Sequence, residues 1–246
     1  MSRASHIGLI AQGGAGWAGG SEYIHNLLRA VCTAEPERRV SIICGEPQAA
    51  EWKQRLEPEA SLITVPVRKK RSFIDRFRRG GGAFDRAVRS AGVDFLYPLT
   101  YDNQYNVGID IPARPTLGGA AWAAWIPDFQ HRYLPALFSP KEIHKRDRGI
   151  EQLVAAAPRV VMSSASAAED LRRFHPLAAP KADVLTFATF PREEWFSPGE
   201  LDLSWLPERF FLVSNQFWKH KNHLLLFSAL ELLAARGVRP VVVCTG

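Results

Sequence analysis

The stretch Phe210 to Gly246, FFLVSNQFWKHKNHLLLFSALELLAARGVRPVVVCTG, constrains the fold more than any other. An apolar run from Phe210 to Val213 leads into a polar loop carrying Lys219, His220, Lys221, Asn222 and His223. Leu226, Phe227, Leu230, Leu233 and Ala234 then recur at three- and four-residue spacing, the mark of a helix with one apolar face. Gly237 falls where that helix would stop, and Pro240 bars its continuation. Val241 to Cys244 reads as a second buried strand. The result is a β–α–β unit with a cationic loop at the carboxyl end of its first strand. The sequence stops as the second strand stops, so the unit is expected to be the opening of a further domain.

The same alternation runs through the rest of the chain. Strands are expected at His6–Gln12, Val40–Cys44, Ser61–Val67, Val93–Tyr97, Ala120–Ile126, Arg159–Met162 and Asp183–Phe187. Helices are expected after Ser21, with Ile24, Leu27, Leu28 and Val31 as the apolar face, and at Glu51–Leu56 and Ala83–Ser90. Ser139-Pro140-Lys141-Glu142 is a capping box with proline at the first helical position, opening a helix to about Ala157. Ser166-Ala167-Ala168-Glu169 is a second capping box. Strands alternating with helices imply an α/β fold, a parallel sheet covered on both faces. Residues 190–208, rich in Pro, Glu and Trp, read as a linker between a first domain at 1–189 and the unit at 209–246. Ligands of such sheets bind beyond the carboxyl ends of the strands, so each polar loop after a strand is a candidate wall of a site.

Composition excludes several classes. With 46% hydrophobic and 23% charged residues the chain is of ordinary globular make-up. No apolar run approaches the roughly 20 residues of a membrane span, and Met1 to His6 is too short and polar for a signal peptide. Cys32, Cys44 and Cys244 are scattered, without metal-ligand spacing, as expected of buried thiols in a reducing, cytoplasmic setting. The net charge of +6 favours anionic partners.

Three segments carry chemistry. Gly14-Ala15-Gly16-Trp17-Ala18-Gly19 matches G-x-G-x-x-G after a strand and before a helix, where glycine admits a phosphate or sugar to the backbone. A nicotinamide-cofactor site would also want an acid closing the second strand. Glu46 is the nearest, but it lies too far along, and Trp17 is a bulky guest where a pyrophosphate should sit. The plainer reading is a flexible turn. The second segment, Trp125 to Pro135, sets Asp128, Gln130 and His131 at a strand end, groups that hydrogen-bond hydroxyls or polarise a reacting centre. Its plainer reading has Asp128 closing a turn and His131 merely exposed. The third, Arg68 to Arg79, alternates Arg and Lys with Phe73, Ile74 and Phe77, a cationic amphipathic surface able to lie on anionic lipid or, ranked below that, to face nucleic-acid phosphate; its plainest reading is a solvated loop. No nucleic-acid motif accompanies it.

In their order these segments resemble the large family of retaining glycosyltransferases numbered four. SNQFWKHKNHLLLFSA, from Ser214 to Ala229, is similar to the start of that family's second domain: a strand, a loop with Lys followed by Gly or Asn, then a helix. Pro127 to His131 with Pro135, continuing through Ser139, resembles a first-domain loop. Arg159 to Ser164 resembles the last first-domain strand, and Gly19-Gly20-Ser21-Glu22 the glycine loop before the first helix. The resemblance implies a GT-B fold, two Rossmann-like domains, of which the second is here only its first unit. It implies transfer of a hexosyl group from a nucleotide-diphosphate sugar to an acceptor hydroxyl with retention, in polysaccharide or glycolipid synthesis. Lys221 matches the lysine that contacts the donor diphosphate. Asn215 stands where many relatives carry an arginine, so Lys219 or His220 would complete the clamp. Gly19 and Gly20 would admit the phosphate or the transferred sugar. Asp128 and His131 are the catalytic candidates, although many relatives place a histidine where this chain has Pro127 or Asp128. No cofactor and no metal are implied. The partners implied are a nucleotide-sugar donor and a glycan or lipid-linked acceptor, with peripheral contact to anionic membrane through Arg68 to Arg79 and no nucleic acid. The family also has an E-x7-E motif late in its second domain; the chain stops before the place where it could occur, so the chain alone is expected to be inactive. Acceptor choice is expected to lie in the irregular segment between Leu99 and Pro115.

Two other readings stay open from the residues. One is an NAD(P)-dependent oxidoreductase using the Gly14–Gly19 loop. The other is a non-catalytic domain that binds glycan or lipid.

Overall fold

The computed structural model describes residues 5–13, 17–66, 82–102, 107, 117–191, 195–197, 199 and 203–245. Gly14, Gly16, the basic segment from Arg68 to Arg79 and most of the stretch after Asp102 lie outside them. The chain divides into two units. The first comprises Met1–Pro135 with Ser139–Phe190, the second Ala136–Phe138 with Pro191–Gly246.

The first unit is the parallel sheet its alternating pattern calls for. Strands β1 (His6–Ile10), β2 (Arg39–Gly45), β3 (Ala60–Val65), β4 (Phe95–Leu99), β5 (Ala121–Ile126), β6 (Val160–Met162) and β7 (Ala182–Val184) pair in the order β3-β2-β1-β4-β5-β6-β7. Every pairing is parallel. Successive strand residues point to opposite faces, and both faces are covered. Leu9, Ile42, Cys44, Tyr97, Ala123 and Trp125 pack with Tyr23, Ile24 and Leu28 of α1 (Ala18–Ala34) and Trp52 of α2 (Ala49–Lys53). Ile10, Ile43, Leu96, Ala124, Ile126 and Met162 pack with Phe84 and Val88 of α3 (Ala83–Ala91), Ile150 and Leu153 of α5 (Pro140–Ala156) and Leu171 of α6 (Ala165–Phe174). Between β5 and α5 lies one further turn, α4 (Gln130–Tyr133).

Two helix starts differ from expectation. α1 opens at Ala18, so Ser21 lies inside its first turn and its Oγ donates to the Gln12 carbonyl at 3.2 Å instead of capping. α6 opens at Ala165, capped by Ser164, whose Oγ accepts from the Ala167 N–H at 3.0 Å. The box starting at Ser166 is therefore not the cap. The Ser139 box is realised: its Oγ accepts from the Glu142 N–H, and the Glu142 carboxylate accepts from the Ser139 N–H.

The second unit contains β8 (Phe211–Ser214), α7 (His223–Ala235) and β9 (Val242–Thr245), with β8 and β9 parallel and in register from Phe211↔Val242 to Ser214↔Thr245. Leu226, Leu230, Leu233 and Ala234 of α7 are half-buried, whereas Phe227, placed on the same face by its spacing, is exposed. Leu224, Leu225 and Leu232 are exposed as well, so α7 is apolar around most of its circumference. β9 is half-buried along Val242 to Cys244, less covered than a core strand.

Candidate functional site

In the first unit the carboxyl ends of β1, β4 and β5 bring two of the sequence segments together. β1 leads through Gln12 to Gly13, whose φ of +79° is open to glycine and strained for other residues. A methyl group there would lie 2.4 Å from the Trp17 carbonyl oxygen. The chain returns as Trp17, directly before α1. Its indole lies across the first turn of α1. A methyl group on Gly20 would meet Trp17 Cε3 at 2.8 Å and the Gly13 nitrogen at 2.9 Å, and one on Gly19 would sit 3.3 Å from Trp17 Nε1. The absent side chains of Gly19 and Gly20 thus make the seat of Trp17. Space there is taken by an indole, which weighs against a dinucleotide pyrophosphate on these two glycines.

Trp17 in turn stacks on Trp125 at the end of β5, with ring centroids 5.9 Å apart and planes 10° from parallel. Trp125 stacks on Tyr23 at 4.3 Å, and Phe187 stands edge-on to both. Buried polar atoms in this column are paired. The Trp125 Nε1 donates to Ser163 Oγ at 2.9 Å, and the Tyr23 and Tyr97 hydroxyls share a hydrogen bond of 2.5 Å. Burial pushes the Tyr23 phenol up to about 12, against the opposing bond from Tyr97, and pushes Tyr97 further in the same direction.

The loop after β5 separates its two candidates. Asp128 is exposed, and its Oδ1 accepts from the Gln130 N–H at 3.0 Å, a turn that sets the start of α4. Its carboxylate is also felt by Tyr101, whose phenol is pushed up by burial, opposed by Arg146 and reinforced by Asp102 and Asp128. His131 is not exposed but 1% accessible. Its Nε2 donates to Asp147 Oδ1 of α5 at 2.8 Å, and Arg132 Nε reaches the same oxygen at 2.8 Å. The His131 Nδ1 is buried without a hydrogen-bond partner among the described residues. Phe129 packs between Phe174 and His175, at 5.3 and 5.9 Å. Burial, with Arg132 nearby, lowers the His175 pKa. Asp147 was not visible as a site residue in the sequence. It lies on a different helix, and only the tertiary fold brings it to His131.

In the second unit the cationic loop has a defined shape. Lys219, His220 and Lys221 form a single 3₁₀ turn, and Asn222 follows in the left-handed region at φ +54°, a conformation asparagine tolerates. α7 starts at the next residue. Lys219, Lys221 and Asn215 are exposed, and the lysines make no ion pair among the described residues. His223 is buried beside Phe217, with rings 4.6 Å apart. Free amides at a helix N-terminus favour an anion, and here two ammonium groups stand on the turn that leads into one. Among the described residues no group of three or more His, Cys, Asp or Glu has the geometry to hold a metal ion. No helix of the described residues is long and apolar enough to cross a membrane.

No family model matches the chain, and no curated protein matches it by sequence. Solved structures match it by fold. Those of Anabaena HepE, one in complex with UDP and glucose and one with UDP-glucose, each superpose with a TM-score of 0.56 at 14% identity, covering 98% of this chain and 60% of theirs. A UDP-glucose:anthocyanidin 3-O-glucosyltransferase in complex with UDP superposes with a TM-score of 0.51 at 12% identity, covering 88% of this chain and 61% of its own. The chain thus spans about three-fifths of the length of these proteins. The fold shared with these proteins is the Rossmann-like α/β fold expected from the sequence.

Proposed function

We propose that the chain belongs to a glycosyltransferase that moves a hexosyl group from a nucleotide-diphosphate sugar to an acceptor hydroxyl with retention, in polysaccharide or glycolipid assembly. Residues 1–189 serve as the acceptor-side domain, 190–208 as a linker, and 209–246 as the first β–α–β of the donor-binding domain. The observation that carries this reading is the turn Lys219–Lys221, which places exposed ammonium groups immediately before α7. The fold likeness to proteins solved with UDP and UDP-glucose supports it.

In the reaction the bond from the anomeric carbon to the diphosphate oxygen breaks, the acceptor oxygen bonds to the same face, and the acceptor proton passes to the departing diphosphate. The diphosphate gains charge as it departs. Lys221, with Lys219 and the α7 amides, stabilises that charge, and Asn215 offers a neutral hydrogen bond. Asp128, exposed at the end of β5, takes a hydrogen bond from a sugar or acceptor hydroxyl. His131, buried and held by Asp147, acts on the reaction by fixing the loop that presents Asp128. The basic sequence from Arg68 to Arg79, which lies outside the described residues, would suit peripheral contact with an anionic membrane, where a lipid-linked acceptor is met.

Isothermal titration with UDP, UDP-glucose and GDP-mannose tests the donor assignment. Binding of one of them is expected, weakened about tenfold to a hundredfold by Lys221→Ala, the worth of a hydrogen bond to a charged group. Binding of none, or binding indifferent to Lys221→Ala, removes the assignment.

A further inference from the structure

After β7 the chain runs through Leu185 to Phe190, a stretch tied at both ends. At one end the Leu185 N–H donates to the Met162 carbonyl at 2.9 Å, continuing the pairing of β6 and β7. At the other, α1 holds Phe190 by backbone and ring together. Asn26 Oδ1 accepts from the Phe190 N–H at 2.8 Å, and Arg29 Nη1 donates to the Phe190 carbonyl at 3.2 Å. The same guanidinium lies over the Phe190 ring, 5.3 Å from its centroid. Proline at 191 biases Phe190 toward extended backbone, in which a residue's own N–H and C=O face the same side. Asn26 and Arg29, one helical turn apart, supply what a neighbouring strand would otherwise offer it. Both are held for the purpose. Asn26 Nδ2 donates to the Glu22 carbonyl at 2.8 Å, and since a carbonyl only accepts, the amide must turn its oxygen to Phe190. Arg29 Nε pairs with Glu57 Oε1 at 3.3 Å. Between the ties, Thr186, Ala188 and Thr189 are exposed and make no hydrogen bond among the described residues.

Midway along the stretch, Phe187 stands edge-on to Tyr23 at 5.3 Å and to Trp125 at 6.4 Å. Phe187 thus meets α1 at Tyr23, and Phe190 meets it at Asn26 and Arg29, about 5–9 Å further along the helix axis. Three extended residues span about 10 Å, so little slack separates the two points. The chain passes into the second unit at Pro191, directly beyond Phe190. We propose that residues 185–190 form a strap latched on α1 by Asn26 and Arg29, so that the chain's exit from the first unit is coupled to the aromatic column at the carboxyl ends of β1 and β5. Latched, the strap keeps the Phe187 ring against the edges of Trp125 and Tyr23. Unlatched, the ring leaves, and the column opens on the side of the sheet where ligands bind. Asn26 and Arg29 are positioning residues in this device. The latch stands on contacts within the first unit, whether or not the donor assignment holds.

The test uses the full chain labelled with nitrogen-15. In the wild type the Phe190 amide is expected to exchange about tenfold more slowly than those of Ala188 and Thr189, once sequence effects are allowed for, as one local hydrogen bond provides. Asn26→Ala should remove most of that protection. The Trp125 Nε1–H, donated to Ser163 and flanked by Phe187, reports on the column. Phe187→Ala gives the position of its cross-peak with the strap's ring gone. Asn26→Ala and Arg29→Ala should each move that peak partway along the line from wild type to Phe187→Ala. The indole peak of Trp52, deep in the core, reports that each variant is folded. Protection of Phe190 is read in the wild type, so the latch can be refuted even where a variant does not fold. A Phe190 amide that exchanges as fast as its two neighbours overturns the latch. A Trp125 peak left in place by Phe187→Ala, or moved by Phe187→Ala but by neither Asn26→Ala nor Arg29→Ala, overturns the coupling.

Discussion

The seat of Trp17 makes a quantitative claim about Gly20. Gly20→Ala places a methyl group 2.8 Å from Trp17 Cε3, 2.9 Å from Cζ3 and 2.9 Å from the Gly13 nitrogen. The last neighbour is backbone in a turn that already has a positive φ, so the indole has to yield. Overpacking of this kind costs about 1–3 kcal/mol. Replacing glycine by alanine in a helix returns up to about 1 kcal/mol. The net expectation is a loss of about 1–2 kcal/mol, or roughly 2–8 °C in Tm for a unit of this size. Trp17→Ala alone should lose about 0.5–1.5 kcal/mol from the stack on Trp125. In the Trp17→Ala background the methyl's two nearest indole contacts are gone and the Gly13 nitrogen remains, so the two substitutions should couple by about 1 kcal/mol. The wild type, both single variants and the double variant are compared by urea unfolding followed by near-ultraviolet circular dichroism. Additivity within about 0.5 kcal/mol, or a gain in stability from Gly20→Ala alone, would falsify the idea that these glycines exist to hold the indole. Either result would return Gly19 and Gly20 to the role the sequence suggested, admitting a ligand to the backbone.

Two further outcomes follow from buried polar groups. His6 donates its Nδ1–H to the Ala91 carbonyl at 3.0 Å and accepts at Nε2 from Ser41 Oγ at 2.8 Å, and burial, with Arg39 nearby, lowers its pKa below 6.5. The unfolded chain therefore binds a proton before the folded one does. Stability is whole above about pH 6.5 and falls as the pH drops below it. His6→Gln should flatten the slope of stability against pH in that window, with His175, of the same sign, leaving a residue of it. An unchanged slope in a pH series of urea titrations removes His6 from the account. Asp147→Ala should cost about 1–3 kcal/mol, because it strips the acceptor from a buried imidazole and from Arg132. It should also speed amide exchange across residues 128–134, and Asp147→Asn should recover part of both. Exchange in that loop as slow as in the wild type would show that Asp147 does not hold it.

How much of this was legible in the sequence depends on whether the deciding partner is near or far along the chain. A parallel sheet covered on both faces writes itself as short apolar runs such as Val40 to Cys44, because each strand residue meets a core whichever way it points. Strand positions were readable for that reason. Helix starts were less so: Ser164 and Ser166 both stand at the head of the same helix, and only the backbone geometry gives the Ala167 N–H to Ser164. The site divides in the same manner. Asp128 closes its turn on Gln130, two residues away, and the pattern implied as much. His131 looked exposed because nothing near it in sequence is its partner, and the fold then buries it against Asp147 of α5, sixteen residues further along. Trp17 is the sharpest case. Beside a glycine-rich motif it read as an obstacle to a phosphate, whereas in space it is the object the glycines accommodate, because its stacking partner Trp125 lies two strands away in the sheet. A glycine motif records where backbone must come close to something, and it leaves open whether that something is a ligand or the chain's own side chain.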